Sequence, residues 1–243
     1  MMDYTKYMNA VAKNRQPMLI AEFFKLQQKA EEDVVFLATG SPSPDTFPIL
    51  SGSLQMKDGR SIALTPEKMA CCLQYGPTPG YPPLLQQLAD LTQRHHSPPR
   101  WHDTDLLVTS GSQSGLLMTM EMMITAGDYV LVEEPCYTGA LSILNPFCPR
   151  YLAVQCDQAG PLPESLRAAL KPWAPDNQHN RCPDPPPKFL YTVPTGSNPT
   201  GTVTTAKRRR EIYNIAREYD ILILEDDPYY FLQYDHQEVC MLG

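Results

Sequence analysis

A chain of 243 residues, 42% of them apolar, is long enough to bury one substantial core. A net charge of −7 argues against a broad nucleic-acid-binding surface, and the longest apolar candidate, Leu116 to Ile124, is too short to span a bilayer and is broken by Thr119 and Glu121. Seven cysteines form no C-x-x-C pair and five histidines show no metal-ligand spacing, so neither a disulfide framework nor a zinc site is expected, and reduced thiols point to an intracellular protein.

Met1 to Gln16 carries Lys6, Lys13 and Arg15 against one acid, Asp3. Such an acid-poor head reads either as a mitochondrial presequence or as a short helix packed on the body, which leaves a mitochondrial or a cytoplasmic location open. The first hundred residues are irregular: a helix over 66–73, a proline-rich turn over 77–83 and a helix over 84–94.

From Asp105 a rhythm sets in. Leu106–Val108 predicts a first strand, followed by a helix whose Leu116, Met120, Met123 and Ile124 recur at helical spacing and which Gly127 stops. Tyr129–Val132, Tyr151–Val154, Phe189–Val193 and Ile221–Leu224 predict four more strands. The helices between them are expected at 137–144, 163–170 and 204–219, the last with Ile212, Ile215, Ala216 and Tyr219 on one face. Lys171–Pro187, rich in proline, reads as a surface excursion. Strands alternating with helices predict an α/β fold, a parallel sheet covered on both faces.

Ligands of such sheets gather at the carboxyl ends of the strands. There the sequence places Ser110-Gly111-Ser112-Gln113-Ser114-Gly115 entering a helix, where backbone N–H groups and the helix dipole favour an anion. Glu133-Glu134-Pro135-Cys136-Tyr137 brings an aromatic to the same rim, and Pro194-Thr195-Gly196-Ser197-Asn198-Pro199-Thr200-Gly201 brings one amide on an irregular turn. Taken singly, each is weak: Gly-Ser loops are common before helices, and a lone Tyr137 is more often a packing residue. Glu225-Asp226-Asp227 comes directly after a wholly apolar strand. Alternation sends Glu225 and Asp226 to opposite faces, so unless this is a solvated strand end, at least one needs a cationic partner.

In combination these motifs are specific. Ser-Gly-Ser-Gln, Glu-Pro-x-Tyr, Asn-Pro-Thr-Gly and Asp-Asp-Pro-Tyr-Tyr, in this order, resemble the class I aminotransferases of fold type I, and within them the kynurenine/α-aminoadipate group; Leu73-Gln74-Tyr75 and Lys188 to Pro194 extend the likeness over nearly the whole chain. The resemblance implies a three-layer α/β/α large domain with an incomplete, mostly parallel sheet. It divides the chain into an N-terminal arm with a small-domain segment (1–45) and a partial large domain (46–243). It implies pyridoxal 5'-phosphate as cofactor, and transfer of an α-amino group from an amino acid of kynurenine or 2-aminoadipate type to a 2-oxo acid such as 2-oxoglutarate, with no membrane or nucleic-acid partner. Ser112 and Gln113 would hold the cofactor phosphate, Tyr137 would stack on the ring, Asn198 and Tyr229 would bond its phenolic oxygen, and Asp226 would pair with the pyridine nitrogen. Tyr75 would reach the phosphate of a partner subunit, which implies a homodimer, and Gly40, Tyr75 and Asn198 would lie near the substrate.

Two departures accompany the likeness. The family's Schiff-base lysine and its C-terminal small domain are expected beyond Gly243, so no catalytic residue is retained; Lys188 and Lys207 do not replace the lysine, the first opening a strand at the far end and the second lying with Arg208, Arg209 and Arg210 on what reads as a solvated helix face. Leu19 stands where relatives carry an arginine facing the distal end of the substrate. The rival readings are a non-catalytic chain that pairs with a full-length subunit, and a fragment of a related pyridoxal-phosphate lyase.

Overall fold

The computed structural model of the chain describes residues 3–29, 34, 37, 40–174 and 182–234. The chain divides into two compact units, one of residues 1–14 with 85–243, the other of residues 15–84. Residues 3–14 pack with the C-terminal part of the chain.

In chain order the regular elements are α1 (Ala10–Asn14), α2 (Leu19–Lys29), β1 (Gly52–Gln55), β2 (Ser61–Leu64), α3 (Pro66–Leu73), α4 (Pro82–His96), α5 (Ser112–Met123), β3 (Tyr129–Glu134), α6 (Thr138–Leu144), β4 (Arg150–Asp157), β5 (Gly160–Pro161), α7 (Pro163–Leu170), β6 (Phe189–Thr192), α8 (Ala206–Tyr219) and β7 (Leu222–Glu225).

The smaller unit holds an antiparallel hairpin, β1 with β2, which the sequence reading does not contain. Its signal is Asp58-Gly59: Gly59 takes φ +88° in the turn, and Met56 donates to the Arg60 carbonyl at 2.8 Å. α3 comes next, with Thr65 capping it by accepting from the Lys68 N–H.

The larger unit contains a five-stranded sheet in the order β5-β4-β3-β6-β7. β4, β3, β6 and β7 run parallel, in register Val130↔Tyr151, Leu131↔Leu190 and Leu190↔Ile223; β5 is a short antiparallel addition on β4. Alternation along the strands builds two cores. Val130, Val132, Phe189 and Tyr191 face α5, α6 and Tyr7, while Leu131, Val154 and Leu190 face α7 and α8. This is the expected α/β/α sandwich. The four strands expected to pair with one another do so. β6 lies between β3 and β7 and is buried at all four positions.

The N-terminal segment belongs to this body. Tyr7 is buried in the α5 core and its hydroxyl donates to an Asp220 carboxylate oxygen at 2.9 Å; Asn9 caps the end of α5 by donating to the Glu121 and Ile124 carbonyls. Lys6 also pairs with Asp220. The excursion over 171–187 folds back in part: Trp173 is buried and donates to the Asp184 carbonyl at 2.9 Å, and residues 175–181 lie outside the described residues.

One expected strand is not regular. Leu106–Val108 joins no ladder, and Leu107 and Val108 are exposed. β7 pairs with β6 on one side only, so all four of its residues are only half-buried although apolar in three of four positions. A cleft of about 560 Å³ lies between them, walled by Leu107, Thr109 and the α5 face on one side and by Leu224–Pro228 on the other. Ladder bonds are what protect backbone amides. Amides of 106–108 are therefore expected to exchange with deuterium far faster than those of Phe189–Thr192, and equal protection in both segments would mean that the first strand is paired in solution.

Candidate functional site

Strands β3, β6 and β7 end on one rim, and each ends in groups that need partners. Glu133 is 4% exposed at the end of β3. Its carboxylate accepts from the Thr192 hydroxyl, from the Val193 N–H at 3.3 Å and from the Ser197 hydroxyl at 3.4 Å. These bonds tie β3 to the turn carrying Asn198. Burial pushes the Glu133 carboxyl above the ordinary carboxylate range, against the three donors that pull it down.

Glu225 ends β7 on the same side of the sheet, and the cation its position demands is Arg209: Nη1 lies 3.5 Å from Oε1, with both side chains largely buried. The same guanidinium donates to the Thr204 and Pro194 carbonyls and to the Thr195 hydroxyl, so it also braces the Asn198 turn. This corrects the reading of residues 207–210 as one solvated face. Lys207 is exposed beside Glu211, but Arg208 donates to Asp157 and to the Gly160 and Pro161 carbonyls, and Arg209 is 3% exposed. The signal was in the sequence: Arg209 precedes Ile212 by three residues and lies on its buried stripe.

Asp226 comes directly after β7. Its N–H donates to the Thr192 carbonyl at 2.9 Å, and its Oδ2 accepts from the Tyr191 hydroxyl at 2.9 Å. Tyr191 is fully buried on β6. Asp227 is the contrasting neighbour: burial pushes its carboxyl up, and its Oδ1 is buried with no hydrogen-bond partner. Asp226 lines the cleft, and Ser112 lines the opposite wall.

Ser112 opens α5, whose N-cap is Gly111 at φ +88° with no side-chain cap, so first-turn N–H groups remain for an anion. Gln113 donates its amide to the Tyr137 hydroxyl at 3.1 Å, which brings two of the predicted residues together. Tyr137 folds over Gly139, where any added methyl group would run into the ring. Tyr229 packs on Gly196: a methyl group built there would lie 3.6 Å from the ring. This brings Tyr229 to the turn of Asn198, which is exposed and precedes a cis-proline. Gly40 and Tyr75 belong to the other unit, where both are exposed.

Neither lysine weighed from the sequence faces the cleft. Lys188 donates to the Met123 carbonyl and to Asp128 at the opposite end of the strands. Among the described residues no His, Cys, Asp and Glu group has a metal-binding arrangement, and no helix is long and apolar enough to cross a membrane.

Comparison with known proteins identifies the family and its relatives. Residues 32–240 match the family model described as aminotransferase class I and II. The chain is 41% identical to the mitochondrial kynurenine/alpha-aminoadipate aminotransferase of Bos taurus and 40% identical to that of Rattus norvegicus; each match covers 96% of this chain and 56% of the relative. Among solved structures, the aminotransferase Aro8 of Candida albicans superposes with a TM-score of 0.80 at 30% identity, covering 97% of this chain and 52% of that one. The Pyrococcus horikoshii kynurenine aminotransferase gives 0.64 at 30% identity, covering 99% and 55%. The chain spans about half the length of the relatives it matches.

Two outcomes test the rim. Arg209→Met should destabilise the fold by about 3–5 kcal/mol in urea unfolding, because it leaves the Glu225 carboxylate buried without this cation, and Arg209→Met/Glu225→Leu should regain most of the loss. For Glu133 the folded pKa lies above the unfolded one. Its contribution to stability is then complete below the ordinary carboxylate range and is lost as pH rises through the raised value. Glu133→Gln keeps the shape, with Thr192 turning its hydroxyl to accept, so its unfolding free energy should lack that decline between acidic and neutral pH.

Proposed function

Because the chain belongs to the class I and II aminotransferase family, we propose that the cleft is the cofactor-facing part of a pyridoxal 5'-phosphate site. We propose further that the protein transfers an α-amino group from an amino acid of kynurenine or 2-aminoadipate type to a 2-oxo acid such as 2-oxoglutarate. The observation that carries this reading is the pairing of opposite poles across one cleft: the uncapped N-terminus of α5 at Ser112 on one wall and the carboxylate of Asp226 on the other. The size, about 560 Å³, suits a molecule of that class.

The residues present fit the group. Ser112, with the first-turn N–H groups of α5, binds the phosphate dianion, and Gln113 supports it while holding the Tyr137 hydroxyl. Tyr137 offers a ring face for stacking. Asn198 and Tyr229, drawn together at Gly196, donate to the phenolic oxygen. Asp226 would pair with the pyridine nitrogen. When bound, the cofactor supplies an electron sink for charge developing at the substrate α-carbon, which the protonated ring strengthens. The raised carboxyl of Asp227 suits it less for that partnership, since its burial favours the neutral form.

Tyr75 reaching a partner subunit's phosphate, a homodimer and Gly40 and Tyr75 near the substrate are parts of the same proposal. So is a mitochondrial location, which rests on the naming of three mammalian relatives as mitochondrial. Leu19, exposed in α2, offers no cation to a distal carboxylate, so an aromatic donor such as kynurenine suits this chain better than a dicarboxylic one.

Titration of the chain with pyridoxal 5'-phosphate, followed by calorimetry, tests the assignment. Asp226→Asn is expected to abolish binding and Asp227→Asn to weaken it by a smaller factor. Equal losses from the two would assign the wrong carboxylate, and unchanged binding in Asp226→Asn would remove the site from this cleft.

A further inference from the structure

Tyr191 has no role in the family likeness or in the proposed cofactor contacts, yet its position is unusual. It is fully buried on β6, an interior strand of the sheet, packed among Val132, Phe189 and other side chains of the α5 core, and its one polar side-chain atom ends 2.9 Å from Asp226 Oδ2. A phenol costs more to bury than a phenylalanine unless its hydroxyl is bonded. The partner here is the acid that the proposed function places against the cofactor. The Asp226 backbone is held from the same strand, by its N–H to the Thr192 carbonyl. Backbone and side chain of Asp226 are therefore both fixed from β6, on two adjacent residues.

We infer that Tyr191 is a positioning residue for Asp226: its hydroxyl takes one carboxylate oxygen and turns the other toward a cationic nitrogen in the cleft. The inference rests on the proposed role of Asp226 as partner of the pyridine nitrogen. The physical grounds are those of charge-assisted bonds in a poorly solvated place. A neutral donor to a carboxylate lowers the cost of keeping the charge, and a single fixed donor selects one rotamer. The phenol itself stays protonated, because burial and the neighbouring Asp226 charge both push its ionisation upward. It can therefore donate across the whole working pH range. The other titratable groups around the pair are Cys136 and Glu133, which act on Tyr191, and Asp227, which acts on Asp226 and is flanked by Arg209 and His96.

The test is a double-mutant cycle on the full chain with pyridoxal 5'-phosphate as probe, using Tyr191→Phe, Asp226→Asn and the pair. Tyr191→Phe keeps the ring that fills the core and should melt close to the parent. It is expected to weaken binding about tenfold at neutral pH. In the Asp226→Asn background the same change should have no further effect. A parallel readout needs no cofactor: the side-chain carboxyl carbon resonance of Asp226, observed by NMR in the free chain, should shift in Tyr191→Phe, where its hydroxyl donor is gone. An unshifted resonance would overturn the inference, as would an equal effect in both backgrounds. Failure of Tyr191→Phe to fold would overturn it too, since the hydroxyl would then serve the fold itself. Failure of the parent chain to bind, together with a shifted resonance, would instead count against the cofactor site and leave the positioning role standing.

Discussion

Three carboxylates, Glu133, Glu225 and Asp226, stand at the ends of two otherwise apolar parallel strands, and each must find a donor within the same rim. Much of the rim's architecture comes from that demand. Strand β6, between β3 and β7, answers two of the three by alternation alone: Thr192 turns to one face and donates to Glu133, while Tyr191 turns to the other and donates to Asp226. Glu225 is met from outside the sheet, by Arg209 of α8. The turn after β6 is then held twice, by Glu133 through Val193 and Ser197 and by Arg209 through Pro194 and Thr195. Asn198 stands on a turn whose backbone is braced by two buried polar side chains, Glu133 and Arg209, and this is how an exposed amide is given a fixed place.

The parallel order explains why all of these groups meet. Strands joined by right-handed crossovers point the same way, so the loop leaving each of them is delivered to one side of the sheet. Helices α5 and α6 cover one face and α7 and α8 the other, which leaves the rim as the place where polar groups can approach a ligand. The opposite end is closed by different means. Lys188 there is spent on Asp128 and a carbonyl, and Arg150 lies over Tyr129 and pairs with Asp184.

Much of this was legible in the amino-acid sequence, because the strongest signals lie where burial is most complete. Tyr129–Val132, Phe189–Val193 and the amphipathic helix before Ile221 read correctly, since each buries a face whose period matches its element. The first strand was expected to lack a ladder partner, and it does. Leu106–Val108 has strand composition, but composition cannot supply a partner, and no neighbouring strand is present in the described residues to accept its hydrogen bonds. The hairpin of β1 and β2 was missed because its strands are short and exposed and only Asp58-Gly59 marks it. The rim residues with the most to do, Tyr191 and Arg209, were passed over for a shared reason. Each is a polar side chain on a buried stripe, and a motif search looks at loops. Reading the polar exceptions on apolar faces would have found both.

The cleft draws its character from the same missing ladder. Its floor and one wall are apolar, from Leu107, Leu116 and the outward face of α5, yet its two ends carry opposite polarity: uncapped N–H groups at Ser112 and a carboxylate at Asp226. A uniformly charged ligand would be attracted at one end and repelled at the other. A flat, dipolar molecule with an anionic group at one end and a protonated nitrogen at the other satisfies both, and buries its ring against the apolar wall between them. The phosphate of such a ligand would then report on α5 and its nitrogen on β6 and β7, two parts of the larger unit joined through the core beneath the cleft. Binding would link them across a gap that no ladder spans. The free energy of the ligand would thus enter the stability of the sheet edge at β7 as well as the occupancy of the site.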